Sequence, residues 1–231
     1  MMSSDVTSFN QAHGLPTYHD GIGAHPSLRG IGRVSKRMTD LVVAGLGLLA
    51  ILPILIVVAC LIKLDSPGPV IFRQKRVGLN GREFWMYKFR SMAVDAEQRH
   101  TALLAQNEMK DDVIFKMTDD PRVTRLGRIL RKTSLDELPQ LFNVVRGEMS
   151  LVGPRPLPTY EVAKQSPYQL RRLDVVPGCT GLWQTSGRSN LDSFTQMVEL
   201  DFEYMRNWSF TYDLTILFRT FQVLFKAEGA R

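Results

Sequence analysis

The sequence predicts a mostly helical α/β chain, in which a re-entrant membrane helix hairpin joins a small α/β domain carrying one β-hairpin and interfacial amphipathic helices. Three observations lead there. Residues 41–62 contain no charged side chain, yet Pro53 stands in their middle. Basic residues flank that run on both sides, Arg29, Arg33, Lys36 and Arg37 before it and Lys63, Arg73, Lys75 and Arg76 after it. Beyond residue 65, short strand-like segments give way to helix-permissive ones separated by Gly and Pro.

The apolar run is long enough to span a bilayer, which takes about 20 residues. Proline removes a backbone donor and turns Leu52 away from helical angles. Lys and Arg close to a membrane segment favour the cytoplasmic side, so a single crossing would strand one basic cluster, whereas a bend at Pro53 keeps both inside. The run starts too far along and is too long for a secretory signal. Residues 1–28 are rich in Ser, His, Gly and Pro and read as a disordered tail, 29–64 as the basic interfacial segment with the membrane helix, and 65–228 as the domain.

Within that domain the turn-dense stretch 65–69 ends the membrane helix. Residues 70–73 and 83–89 read as strands joined by a turn at 78–81, and 94–110 as a helix. Asp119-Asp120-Pro121 breaks the chain before a short basic helix over 124–131. A helix over 134–146 closes at Gly147, residues 153–156 form an irregular loop, and another helix covers 160–173. Near the C terminus, Trp208, Phe210, Tyr212, Phe218, Phe221 and Phe225 alternate with Arg206, Arg219 and Lys226, a pattern suited to the headgroup zone, to core packing or to a homodimer contact.

A net charge of +6 suits an anionic partner. Aromatic residues are not interleaved with the basic ones as nucleic-acid binding requires, so the lipid bilayer is the expected partner and nucleic acid is not. Two cysteines without a CxxC pair indicate reduced thiols and no structural zinc.

Three clusters can carry chemistry: Lys88 and Arg90 in 88–92, Asp136 and Glu137 in 134–138, and Arg155 in the Gly-Pro-Arg-Pro loop. Ser134 followed by Glu137 has the spacing of a capping box, in which both acids merely complement a helix start. The same geometry allows chemistry. An oriented, ionised Asp136 can attack phosphorus, Glu137 can hold magnesium, and nearby arginines can spread phosphoryl charge.

The strings Pro67-Gly68-Pro69-Val70-Ile71-Phe72, Gln74-Lys75-Arg76-Val77-Gly78 and Tyr87-Lys88-Phe89-Arg90-Ser91-Met92 resemble the bacterial sugar transferase family. So do Ser134-Leu135-Asp136-Glu137-Leu138-Pro139-Gln140-Leu141-Phe142-Asn143-Val144, Ser150-Leu151-Val152-Gly153-Pro154-Arg155-Pro156, and Pro177 to Gln184 followed by Ser186-Gly187-Arg188. These are monotopic phosphoglycosyl transferases, and the chain looks like their minimal form. The resemblance implies transfer of a sugar 1-phosphate from a UDP-sugar to undecaprenyl phosphate at the cytoplasmic face of the bacterial inner membrane, as the first membrane step of exopolysaccharide assembly. It places the nucleophile at Asp136, a Mg2+-associated carboxylate at Glu137, an active-site arginine at Arg155, and phosphate or nucleotide contacts at Lys88, Arg90 and Arg188. Pro53 matches the proline at the membrane bend, although Leu52 stands where the family often has serine. A silent scaffold, or a glycosyltransferase releasing UDP, would be the rival readings.

Overall fold

The computed structural model describes residues 30–110, 113–186 and 191–226. It opens with one long helix, α1 (Gly30–Asp65), whose assignment runs unbroken through Pro53. At 1.5 Å per residue, such a helix is about 54 Å long, well beyond the roughly 30 Å of a hydrocarbon core. It is also not the core helix of a soluble protein, because 17% of its most apolar stretch is buried. Leu46, Leu49, Ile56 and Val57 are among its exposed side chains.

What α1 does bury faces the domain at both of its ends. Near its start, Lys36 pairs with Asp213 at 2.6 Å, Arg37 donates to the Val145 carbonyl at 2.8 Å, and Asp40 accepts the Leu151 amide at 3.0 Å. Ala44 enters the main core. Further along, Leu55, Val58 and Ile62 pack with Phe89 and Leu130 in a second cluster. Near the end, Arg90 reaches the Ser66 carbonyl and Lys63 the Gly68 carbonyl.

Strands β1 (Ile71–Val77) and β2 (Glu83–Phe89) form the expected antiparallel hairpin, with Ile71 opposite Phe89 and Val77 opposite Glu83. β1 is longer than the hydrophobic pattern suggests, because the basic stretch after Arg73 also pairs. Asn80 takes φ 54° in the connecting turn, a left-handed conformation that asparagine tolerates. The helix predicted over 94–110 shortens to α2 (Ala96–Leu103) plus a 3-10 turn. Thr124 caps α3 (Arg125–Lys132) by accepting the Gly127 amide. Gly127 cannot be larger, since a Cβ there would meet the Ser91 carbonyl oxygen.

The helix predicted over 134–146 is split. Ser134 sits at φ 55° and caps nothing, residues Leu135–Glu137 form a single 3-10 turn, and α4 (Gln140–Arg146) begins after Pro139. Proline supplies no amide to continue the helical ladder, and Ser134 redirects the chain, so the capping box does not form. Gly147 at φ 86° closes α4 as expected.

The segment that follows builds two elements that the sequence pattern hid. β3 (Ser150–Val152) pairs in parallel with β5 (Gly178–Thr180), and β4 (Leu157–Pro158) adds to the free edge of β1. The helix expected over 160–173 is broken into α5 (Thr159–Val162), α6 (Pro167–Leu170) and a 3-10 turn. α7 (Leu182–Thr185), α8 (Phe194–Asn207) and α9 (Phe210–Lys226) complete the fold. Trp208 is buried and donates to Asp213, so it belongs to the core, while Phe210, Leu214, Phe218 and Phe221 remain exposed on α9.

One side chain fixes α4 against the hairpin. Asn143 is fully buried, donates to the Trp85 carbonyl at 2.7 Å and to Glu148 at 2.6 Å, and accepts the Tyr87 amide at 3.1 Å. Asn143→Ala should cost about 2–3 kcal/mol of stability, because buried backbone groups of β2 lose their partner. The unfolding midpoint of the detergent-solubilised protein measures it.

Candidate active site

The split helix start, the end of β2 and the loop after β3 converge on one cavity of about 1020 Å³. Its lining includes Lys88, Arg90, Asp136, Glu137 and Arg155. Glu137 is the meeting point: its Oε1 accepts the Lys88 ammonium at 2.7 Å and the Arg155 guanidinium at 2.7 Å. One carboxylate thus holds two nearly buried cations. Burial pushes the Lys88 ammonium down to about 8, with Glu137 pulling the other way. Burial also acts against the Arg155 cation, but Glu137 outweighs it and holds the guanidinium above its ordinary range.

Asp136, the neighbour, has a different environment. It is 6% exposed, and among the described residues nothing donates a hydrogen bond or ion pair to its carboxylate. Burial raises its carboxyl above the usual range, Glu137 adds to that, and Lys88, Arg131 and Arg155 oppose it. The sequence reading had helix amides holding this group ionised. The observed 3-10 turn lacks that helix start, and the charge of Lys88, Arg131 and Arg155 offsets only part of the effect of burial.

Arg155 owes its placement to a clamp that motif reading did not supply. Arg172 donates to the Arg155 carbonyl at 2.8 Å, and Arg76 to the Pro156 carbonyl at 3.0 Å. Arg172 is itself anchored by Asp201 at 2.9 Å, with both side chains almost wholly buried. Burial pulls Arg76 down to about 10 and pushes the nearby Glu161 carboxyl up to about 7, while Arg76 pulls that carboxyl back. In the sequence Arg76 was one of the basic residues that follow the apolar run and part of a family-like string, with no site role assigned to it. Only its pairing with β4 at the sheet edge turns it inward.

Arg90 joins the lining, but its Nη2 is spent on the Ser66 carbonyl and hydroxyl, at 2.7 and 2.9 Å, at the end of α1. It ties α1 to the site. Arg188 lies outside the described residues. Cys60 and Cys179 are free and neither lines the cavity, and burial drives the Cys179 thiol far up.

The chain belongs to the bacterial sugar transferase family, whose pattern it matches over residues 31–227. It is 48% identical over 198 residues to the galactosyl transferase CpsE of Streptococcus agalactiae, which covers 86% of this chain and 44% of that protein. With the UDP-glucose:undecaprenyl-phosphate glucose-1-phosphate transferase of Escherichia coli it shares 41% identity over 234 residues, 95% of this chain and 47% of the relative. The exopolysaccharide production protein ExoY of Sinorhizobium fredii is 39% identical over 207 residues, 88% of this chain and 91% of ExoY. The chain therefore spans just under half of the first two relatives and most of the third.

Glu161 gives the site a pH signature. Its folded pKa of about 7 lies above the ordinary carboxyl value of 4.5. Stability from the protonated group is complete below pH 4.5 and is lost as pH rises to about 7, by an amount on the order of 3 kcal/mol. Glu161→Gln should flatten that decline in denaturant midpoints taken at acid and neutral pH.

Proposed function

We propose that the chain transfers a hexose 1-phosphate from a UDP-sugar to undecaprenyl phosphate, releasing UMP, through a phosphosugar bound to Asp136. The observation that carries this reading is an unpartnered, nearly buried aspartate beside a glutamate that gathers two cations in a cavity. The names of the relatives supply the substrate classes: undecaprenyl-phosphate transferases of glucose 1-phosphate in Escherichia coli and of galactose in Salmonella typhimurium.

The chemistry follows in two displacements. An Asp136 carboxylate oxygen bonds to the β-phosphorus as the bond from that phosphorus to the bridging oxygen breaks, and the electron pair leaves with UMP. A phosphate oxygen of the lipid then bonds to the same phosphorus and the Asp136 carboxylate departs unchanged. A carboxylate that faces the cavity and has no protein donor among the described residues is free to make the first attack. Lys88 and Arg155, both held beside Asp136 by Glu137, would offset the charge that grows on the transferring phosphoryl oxygens, and the clamp on its loop would keep Arg155 in position.

Among the described residues no group of three or more His, Cys, Asp or Glu gathers into a metal site, and the Glu137 carboxylate already meets Lys88 and Arg155. Magnesium takes one or two carboxylates and leaves its other positions to phosphate and water, so it would enter with the diphosphate and draw Glu137 away from one of those cations. Glu137, with Asp136 adjacent, would hold it. Bound there, the ion would neutralise diphosphate charge and ease departure of the nucleotide.

A membrane-associated chain suits these two substrates, one dissolved and one in lipid. Anchoring of α1 to the same domain at both ends supports a helix that dips into the inner leaflet and returns near Pro53, with the domain on the cytoplasmic face. The exposed phenylalanines of α9 and the apolar outer side of α1 would lie in lipid.

Release of UMP from UDP-glucose or UDP-galactose in the presence of undecaprenyl phosphate tests the reaction, and release of UDP instead would contradict it. Asp136→Asn should lower turnover at least about 10³-fold, as removal of a nucleophile does. Arg155→Ala should lower kcat by a factor matching about 3 kcal/mol of transition-state stabilisation, with KM little changed. Steady-state kinetics in mixed micelles separates those terms.

A further inference from the structure

The cavity has two ends of opposite character, and β1 runs between them. At one end Ile71 and Phe89 pack onto the Leu55, Val58 and Ile62 cluster of α1. At the other, Arg76 pairs with Pro158 of β4, and the chain continues into Tyr160 and Glu161 of α5. Five residues of strand separate Ile71 from Arg76, about 17 Å at roughly 3.3 Å each. Lys88, opposite Phe72, and the Asp136–Glu137 turn that it contacts belong to the span between.

The end away from α1 holds an aromatic group that the chemistry at Asp136 does not use. The His100 ring meets Phe115 edge-on, with centroids 5.0 Å apart, and lies 5.7 Å from Tyr160. Arg122 is buried, grips Asp120 with two nitrogens, and covers the Phe115 ring at 5.2 Å. Its Nη1 lies 3.0 Å from His100 Nδ1. A guanidinium has no acceptor, so Arg122 donates and Nδ1 accepts. That fixes the neutral ring with its proton on Nε2. Burial, then Arg122, hold the imidazole below its ordinary range, so the neutral form prevails at neutral pH. Nε2–H has no partner among the described residues, and His100 and Tyr160 both line the cavity.

A locked neutral donor beside a half-exposed aromatic ring, with the cationic centre farther in, matches a flat heterocycle bearing carbonyl oxygens and attached to phosphate. We infer that the His100–Tyr160 end of the cavity binds the pyrimidine base of the sugar nucleotide, with His100 Nε2–H donating to a ring carbonyl and Tyr160 stacking on the base. Arg122, Asp120 and Phe115 act as positioning residues that hold the His100 ring. The lipid phosphate then approaches from the α1 end, so donor and acceptor reach Asp136 from opposite directions. This inference rests on the proposed sugar-phosphate transfer from a UDP-sugar.

Calorimetric titration with UMP and with ribose 5-phosphate separates the base from the rest of the nucleotide. His100→Ala should weaken UMP on the order of tenfold, and His100→Gln, which keeps an N–H donor at that reach, should restore most of it. Tyr160→Leu should weaken UMP by roughly fivefold or more, as loss of a stacking face does. Ribose 5-phosphate should bind all of these variants as it binds the parent. Thermal midpoints report folding, and Tyr160, 45% exposed, carries the test alone if His100→Ala unfolds. Equal losses for the two ligands, or unchanged UMP binding in folded variants, would overturn the base subsite. A parent protein that neither binds nor releases UMP would instead overturn the transferase reading beneath it.

Discussion

A single carboxylate shared by two cations governs this site. Glu137 takes Lys88 and Arg155 on the same oxygen, in surroundings where each cation alone would be costly to bury. Two positive charges against one negative leave a surplus beside Asp136, and a diphosphate is the kind of group that fills it. Because Glu137 satisfies both cations, neither is drawn onto Asp136, whose carboxylate remains open to the cavity. Remove the sharing and the cations would collapse onto Asp136, or the site would open to water.

The fold can be read as the scaffold for that arrangement. Pro139 and the left-handed Ser134 confine Asp136 and Glu137 to one short turn. Asn143 sets α4 on β2 so that Lys88 meets the turn, and Arg76 with Arg172 grips the backbone of the Arg155 loop. Helix α1 adds the second constraint. It docks through Lys36, Arg37 and Asp40 near one end and receives Arg90 and Gly68 at the other, so the apolar helix and the polar cavity share one body. The proposed transfer between a dissolved nucleotide and a lipid phosphate would need that closeness.

Local signals carried the hairpin, the short basic helix after the Asp-Asp-Pro break, the glycine stop at Gly147 and the membrane-type helix, since each depends on a few adjacent residues. Strands β3, β4 and β5 escaped because two or three residues give no period, and their pairing is decided by partners far along the chain. The capping box at Ser134 failed for a related reason: its spacing was right, but Pro139 and a positive φ settled the backbone first. At the site, Asp136, Glu137, Arg155 and Lys88 were legible as motif residues, and the structure brings them together. Arg90 was legible too, yet its Nη2 is committed to the end of α1. Arg76 lay in a family-like string that assigned it no role, and Arg172 and the His100–Tyr160 group carried no local mark, because a basic run or an isolated aromatic becomes informative only once the sheet and α5 enclose it.

The most direct measurement is the intact mass of the purified protein after exposure to a UDP-hexose with no lipid acceptor. A gain equal to one hexose phosphate, located by fragmentation to Asp136 and discharged on addition of undecaprenyl phosphate, is what this account requires. A protein of unchanged mass that nevertheless transfers phosphosugar when both substrates are present would contradict it, since the sugar phosphate would then pass directly between them.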